Sequence, residues 1–133
     1  MKTPPIERLS FIDQVLHKFS TKGLPPLYMQ GAAIVDPKKA PFPVDARMLG
    51  EHIAARLSGF PILRKRLIQD PLGISDVRMV DDPYFDVWDH IGFATLPAPS
   101  DDDTLNRHLA SFSAQLLDPE KPLWRFEIID GLA

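Results

Sequence analysis

Histidine is the side chain best suited to act as a general base near neutral pH, and the sequence contains four: His17, His52, His90 and His108. No two have the i, i+4 spacing of a helical metal-binding pair. His17, His52 and His108 fall on predicted helices away from the main apolar stripes, so we interpret them as solvated surface residues. His90 falls on a predicted strand, where a structural role, with the ring bonded to a local carboxylate or carbonyl, is the preferred hypothesis.

Positive charge is concentrated in the run Arg64-Lys65-Arg66, with Arg56 nearby. Guanidinium and ammonium groups suit the phosphates of coenzyme A or of anionic lipid headgroups, so we take Arg64, Lys65 and Arg66 as candidate substrate-binding residues. The alternative is the solvated face of a short helix that buries three apolar side chains, Leu63, Leu67 and Ile68.

The remaining motifs predict no catalytic residue and no metal site. The acidic residues Asp81, Asp82, Asp86 and Asp89 lack the regular spacing of a calcium loop, and we interpret them as turn-forming residues. There is no cysteine, which excludes thiolate zinc sites and cysteine nucleophiles. Neither a Gly-x-Ser-x-Gly elbow nor a glycine-rich phosphate loop is found.

Composition narrows the class of protein. A chain of 133 residues corresponds to one domain or part of one, and a net charge of -3 argues against a nucleic-acid-binding protein. The 14 prolines lie between predicted elements and not in one tract. No apolar run reaches the 18 residues of a membrane span, and residues 1–8 are too polar to begin a signal peptide. We therefore expect a cytoplasmic protein, with peripheral attachment to a membrane or lipid body as an option.

Periodicity predicts a mixture of helices and strands. Apolar residues at i, i+4 and i+8 indicate helices at 11–21 and 44–58, and residues at i, i+4, i+7 and i+11 indicate one at 101–117. A short helical turn is predicted at 61–68. Strands are predicted at 27–35, 76–80, 88–95 and 124–129. This order favours an α/β layered fold with a mixed or mostly antiparallel sheet.

The last predicted strand is followed by Asp130-Gly131, a strong hairpin signal, and then by only two residues. The return strand of such a hairpin is absent from the sequence. We therefore expect the chain to be part of a longer protein, with an open strand edge and marginal stability on its own.

Five segments in the same order resemble the start of the wax ester synthase/diacylglycerol acyltransferase family. They are LSFID at 9–13, PILRKRL at 61–67, VDDPYFD at 80–86 with His90 after it, LPAP at 96–99, and LDPEKPLW at 117–124 with IDGL at 129–132. Each segment alone has low specificity, but together they extend over nearly the whole chain.

The resemblance implies that residues 1–133 are the N-terminal part of such an acyltransferase domain. The implied fold is a partial half-domain of the coenzyme-A-dependent, chloramphenicol acetyltransferase-like sandwich, an α/β fold with a mixed sheet and flanking helices. The implied reaction moves a fatty acyl group from acyl-CoA, a co-substrate, to a long-chain alcohol or a diacylglycerol, and no other cofactor is implied.

The family's catalytic motif, HHxxxDG, follows the region that this chain resembles and is absent from the 133 residues. No catalytic residue is therefore assigned, and we expect the chain alone to be inactive. Its expected partners are a C-terminal portion or a second copy at the open strand edge. Two alternatives stay open: a non-catalytic module that binds lipid or a partner acyltransferase, and a piece of a condensation-type enzyme acting on carrier-protein thioesters.

Overall fold

The computed structural model describes residues 7–21, 28–72 and 74–133. The helices are α1 (Phe11–Thr21), α2 (Ala46–Leu57) and α3 (Asp102–Ala114). Short 3-10 helices lie at Pro37–Lys39, Pro61–Arg64 and Val87–His90. The strands are β1 (Glu7–Arg8), β2 (Lys65–Ile68), β3 (Arg78–Asp81), β4 (Ile91–Thr95) and β5 (Phe126–Asp130).

Each α-helix begins at a side chain that accepts a hydrogen bond from its first turn. Ser10 Oγ accepts from the Asp13 N–H at 3.2 Å, and Asp45 Oδ1 accepts from the Met48 N–H at 2.7 Å. Asp101 Oδ1 accepts both the N–H and the hydroxyl of Thr104, at 2.9 and 2.7 Å. These caps satisfy amide groups that have no partner within the helix, and the three predicted helices are confirmed with shifts of a few residues at their ends.

The described residues divide into two compact units. The first contains α1 and a three-stranded antiparallel sheet in the order β1-β3-β2. Residues 65–68, predicted as part of a helical turn, instead form β2, because their backbone pairs with Arg78–Asp81. Only the turn at 61–64 keeps the predicted helical conformation, and the preference of a four-residue stretch is easily overridden by tertiary pairing.

The second unit is built on the parallel pair β4-β5, which joins residues more than thirty positions apart in sequence, from Ile91 opposite Phe126 to Thr95 opposite Asp130. Helix α2 covers one face of the pair. Its Ala54 forms a buried cluster with Ile91 and Ile128, and Gly50 lies so close to Phe93 that a Cβ atom there would approach the ring to 2.5 Å.

Two further strand predictions need correction. The strand predicted at 88–95 begins at Ile91, because Asp86 Oδ1 accepts the Trp88 N–H at 2.9 Å and caps a 3-10 turn first. The strand predicted at 27–35 is wrong for residues 28–35, which pair with no strand in the described part of the chain, while Leu27 lies outside it. Apolar residues such as Ile34 are mostly exposed there, because an extended segment without a neighbouring strand has no sheet to pack into.

The strands thus lie in one antiparallel and one parallel sheet, and no single mixed sheet joins them within the described residues. After β5, Gly131 has a φ of +84°, a conformation that favours glycine, and the Ala133 N–H donates to the Ser100 carbonyl at 2.8 Å. A return strand after Asp130-Gly131 stays a prediction. None of the described helices has the length and apolarity needed to cross a membrane.

Ile128 is expected to contribute strongly to stability, because its side chain is only 6% exposed in the core of the second unit. Ile128→Ala should lower the free energy of unfolding by about 3 kcal/mol through lost burial and a residual cavity. Ile74→Ala is the matched control, since Ile74 is 83% exposed, and should change it by about 0.5 kcal/mol or less. Urea unfolding measures both, and equal losses would contradict this description of the core.

Candidate functional site

Arg64, the first residue of the predicted basic run, ends the 3-10 turn before β2. Its guanidinium carbon lies 6.0 Å from the centre of the Phe85 ring, at the outer limit of a cation–π contact. Its backbone carbonyl accepts the Asp82 N–H at 2.9 Å. Arg64 is nevertheless exposed, so its charge remains accessible to a ligand.

Lys65 and Arg66 follow on β2 and project from opposite faces of the sheet, because successive strand residues alternate. Lys65 lies opposite Asp81 and Arg66 opposite Val80 on β3. The structure therefore does not place Lys65 and Arg66 on one surface. Phosphate binding by Arg64, Lys65 and Arg66 stays a prediction.

The antiparallel register places Arg66 on the same face of the sheet as two other arginines. Arg8 of β1 and Ile68 of β2 both lie opposite Arg78 of β3, and Arg66 is two residues from Ile68. Residues that face each other across antiparallel strands, and residues two apart on a strand, share a face. We call this surface, formed by Arg8, Arg66, Arg78, Ile68 and Val80, the arginine face. Sequence reasoning missed it because its arginines come from three strands whose pairing no local pattern reveals.

A hydrogen-bonded turn shapes the loop between β2 and β3. The carboxylate of Asp70 accepts the Ser75 N–H at 2.6 Å and the Ile74 N–H at 3.2 Å. Hydrogen bonds from the hydroxyl and the N–H of Ser75 lower the pKa of Asp70 from its ordinary value of 3.8 to about 2. The same loop buries Val77 completely. The loop is therefore fixed near β2 by the Asp70 hydrogen bonds and next to β3 by the burial of Val77.

His90 has the structural role expected from the sequence. Its ring is buried, Nδ1 lies 2.9 Å from the Trp124 carbonyl oxygen, and the ring stacks on the Trp124 indole with centroids 4.5 Å apart. The carbonyl partner is confirmed, although it lies 34 residues away in sequence and not nearby. His90 thereby ties the start of β4 to the segment that enters β5.

His108 is not the solvated residue that the sequence predicts. On α3, its Nε2 lies 2.6 Å from Glu127 Oε2 of β5, and the two side chains are 29% and 21% exposed. The prediction failed because a helical face that lacks apolar residues can still pack against a carboxylate on a distant strand. His52 is exposed as predicted, and His17 is half-buried.

A second tie between α3 and β5 comes from Arg125. Its two terminal nitrogens donate to Gln115 Oε1 at 2.6 Å and to the Phe112 carbonyl at 2.8 Å. The guanidinium also stacks over the Phe112 ring at 3.9 Å. A cation at the last turn of a helix satisfies its free carbonyl groups and suits its dipole, so Arg125 fixes the end of α3 to the start of β5.

Asp82 and Asp86 act as turn and cap formers, as predicted, whereas Asp81 is a strand residue of β3 opposite Lys65. Asp82 Oδ1 accepts the Tyr84 N–H at 3.0 Å, and Asp86 caps the turn at 87–90. At the start of α3, bonds from the hydroxyl and N–H of Thr104 lower the pKa of Asp101. Across residues 7–21, 28–72 and 74–133, no three potential ligands are grouped to hold a metal ion.

An open groove lies at the carboxyl ends of β4 and β5, the position where ligands often bind to parallel strands. Seven residues line it: Asp45, Ala46, Arg47, Phe93, Ala94, Thr95 and Asp130. The carboxylate of Asp45 is already used as the cap of α2, and no histidine lines the groove. Asp130 contributes the other carboxylate of the groove, and nothing in the geometry assigns it a catalytic role.

Comparison with known proteins identifies the family to which this chain is related. Residues 9–133 match the model of the wax ester synthase/diacylglycerol acyltransferase catalytic domain. The chain belongs to this family. The resemblance seen in the five sequence segments is thereby confirmed, and the His90 and Glu127 contacts lie within the matched region.

Relatives of the wax ester synthase/diacylglycerol acyltransferase family extend well beyond the length matched here. A Mycobacterium tuberculosis protein named probable diacylglycerol O-acyltransferase tgs3 is 28% identical over 127 residues, which are 96% of this chain and 46% of the relative. Another from the same species, named probable diacylglycerol O-acyltransferase tgs1, is 36% identical over 61% of this chain and 18% of its own length. The chain thus spans about half, or less, of these curated relatives.

A solved structure supports the fold class. The wax ester synthase/diacylglycerol acyltransferase of Marinobacter aquaeolei VT8 superimposes with a TM-score of 0.58 at 24% identity, over 72% of this chain and 23% of that one. The expected α/β fold, a part of the acyltransferase sandwich, is therefore confirmed.

The turn at Asp70 should make the first unit sensitive to strong acid. Because the pKa is lowered in the folded state, the stabilisation is present above pH 3.8 and is lost as the pH falls through about 2. A carboxyl NMR titration should give Asp70 a midpoint of about 2, and Asp70→Asn should flatten the fall in melting temperature across this range. A midpoint at 3.8 would show that the Ser75 bonds do not persist in solution.

The pair His108–Glu127 should be energetically coupled because both groups are more than two-thirds buried and the acceptor is charged. A double-mutant cycle with His108→Ala, Glu127→Ala and the double variant should give a coupling energy of about 1–2 kcal/mol. Arg47–Glu51, an exposed pair at 3.2 Å on α2, is the control and should couple by about 0.5 kcal/mol or less. Equal coupling in the two pairs would contradict the assignment of His108 as a tie between α3 and β5.

Proposed function

We propose that this chain forms the N-terminal portion of an enzyme that transfers a fatty acyl group from acyl-CoA to a long-chain alcohol or a diacylglycerol, giving a wax ester or a triacylglycerol. The observation that carries the proposal is the family match over residues 9–133. The names of the relatives, diacylglycerol O-acyltransferases and a wax ester synthase, support the choice of acceptors.

In this reaction the acceptor hydroxyl attacks the thioester carbonyl, a C–O bond forms and the C–S bond breaks. The hydroxyl proton passes to a general base, and the thiolate of coenzyme A leaves and is protonated. The proposed base is a histidine of an HHxxxDG motif, which these 133 residues do not contain. The chain's own contribution is structural: β5 and its ties to α2 and α3 provide the sheet on which such a motif is positioned.

Acyl-CoA is the proposed co-substrate, with no further cofactor. Arg64 and Arg66 are proposed to neutralise phosphates of coenzyme A, with Lys65 as the third candidate. Guanidinium groups bind phosphate through charge-assisted, often bidentate hydrogen bonds. Peripheral association with a membrane or lipid body is proposed because both acyl acceptors are hydrophobic lipids.

A second candidate function is a non-catalytic module that binds lipid or a partner acyltransferase. The observation in its favour is that, in the described part of the chain, β5 pairs only with β4. Its other edge therefore presents backbone groups that a strand from a C-terminal portion or from a second copy can pair with.

The test compares this chain with a polypeptide in which its reading frame continues through an HHxxxDG motif and a second half-domain. Palmitoyl-CoA is supplied with hexadecanol or dioleoylglycerol, and released coenzyme A and the ester are measured. We expect no ester from the 133-residue chain and wax ester or triacylglycerol from the longer polypeptide. A longer polypeptide that forms neither ester would overturn the acyltransferase proposal, and a stop codon after Ala133 would favour the non-catalytic module.

Variants of the longer polypeptide test the role of the basic residues in the same assay. Arg64→Gln combined with Arg66→Gln should raise the KM for palmitoyl-CoA about 100-fold, roughly tenfold for each charge-assisted bond lost, and leave the KM for the alcohol unchanged. Arg56→Gln, which removes an exposed arginine of α2, is the control. An unchanged KM for palmitoyl-CoA would contradict the proposed phosphate contacts and would leave the acyltransferase proposal unaffected.

A further inference from the structure

The arginine face concentrates positive charge on a chain whose overall charge is negative. Arg8 lies opposite Arg78, and Arg66 is diagonal to Arg78 across the β2–β3 pair. Directly opposed residues of an antiparallel sheet have Cβ atoms about 5 Å apart, and diagonal ones about 7–8 Å. Three guanidinium groups therefore project from one small surface, although the net charge of the chain is -3.

This arrangement has an electrostatic cost that the described residues do not relieve. Like charges that face each other directly across strands are destabilising. Among residues 7–21, 28–72 and 74–133, no ion pair joins Arg8, Arg66 or Arg78 to a carboxylate. Asp81, the acidic residue of β3, lies on the opposite face of the sheet because it is three residues from Arg78. An external anionic partner would remove the repulsion.

The shape and apolar content of the surface indicate an extended partner. A sheet face is broad and flat, and Ile68 and Val80 lie between the arginines on the same face. Arg8 and Arg78 are exposed, and Ile68 is partly so. Helix α1 begins three residues after Arg8, in the same unit, with Phe11 81% and Ile12 68% exposed. Arginines interleaved with apolar side chains suit the headgroup region of a membrane, where stems and apolar groups are buried and charges meet phosphates.

We propose that the arginine face binds the surface of an anionic lipid membrane, with Phe11 and Ile12 of α1 adding apolar contacts at the headgroup boundary. A nucleic acid is a poorer fit, because the cations are few, apolar residues separate them and the chain is acidic overall. The inference rests on the proposed peripheral lipid association and names its surface; it does not depend on acyl transfer.

Vesicle co-sedimentation of the 133-residue chain tests this surface. The vesicles are phosphatidylcholine alone or phosphatidylcholine with one quarter phosphatidylglycerol. We expect binding to the anionic vesicles only, and binding should weaken as added salt shortens the screening length. An arginine near an anionic surface contributes about a fivefold change in partitioning, so Arg8→Gln with Arg78→Gln should weaken it about 25-fold. Phe11→Ser should reduce binding to the same vesicles by a smaller factor.

Two controls separate loss of the surface from loss of the fold. Arg47→Gln with Arg56→Gln removes the same charge from α2 and should leave most of the binding intact. The melting temperature of Arg78→Gln should stay equal or rise, because the substitution removes repulsion from Arg8. Inorganic phosphate is the competitor that distinguishes a lipid surface from a soluble anion, and sodium chloride at matched ionic strength is its control.

The proposal is overturned if the α2 variant and the arginine-face variant lose vesicle binding equally. It is also overturned if inorganic phosphate releases the chain from anionic vesicles at an ionic strength at which sodium chloride does not. If all variants bind anionic vesicles as well as the unaltered chain does, the arginine face is not the binding surface, although peripheral lipid association still holds. If the chain binds neither vesicle type, the arginine-face proposal and peripheral lipid association are both rejected, and the acyltransferase proposal is unaffected.

Discussion

The parallel pairing of β4 with β5 is the constraint on which the second unit depends. Parallel strands cannot be joined by a tight turn and need a long crossover, and here that crossover includes α3. The pairing sets Ile91 and Ile128 side by side, where Ala54 of α2 packs onto them. Without that register there would be no common apolar surface for α2. β5 is therefore the strand that organises the core of the second unit.

Polar side chains hold the opposite side of this pair. The bond of His108 to Glu127 and the contacts of Arg125 with Phe112 fix α3 to β5 at two separate points, while His90 fixes the approach to β5 through the Trp124 carbonyl. His90, His108 and Arg125 therefore act as structural contacts in this unit. Such partly buried polar contacts specify one arrangement because leaving any of them unpaired is costly.

The first unit shows how strand register redistributes charge. In the sequence, Arg64, Lys65 and Arg66 form one continuous run, but strand geometry separates the last two by a half turn. Arg66 acquires Arg78 as a diagonal neighbour instead, with Arg8 beyond it on the same face, and Lys65 acquires Asp81. The basic run therefore contributes to both faces of the sheet. On one face Lys65 lies opposite an acidic residue, and on the other Arg66 adds to a group of arginines.

The sequence by itself determined the three helices, the turn-forming role of Asp82 and Asp86, and the family, because each depends on residues close together in the chain or on an ordered series of motifs. Only the tertiary structure decided which strands pair, that residues 28–35 pair with none, that 65–68 are extended and that His108 meets Glu127. Those outcomes depend on contacts between residues as far apart as Arg8 and Arg78, or Ile91 and Phe126. A local pattern fixes the preference of a segment, but hydrogen bonds and burial between distant segments decide its final conformation and its neighbours.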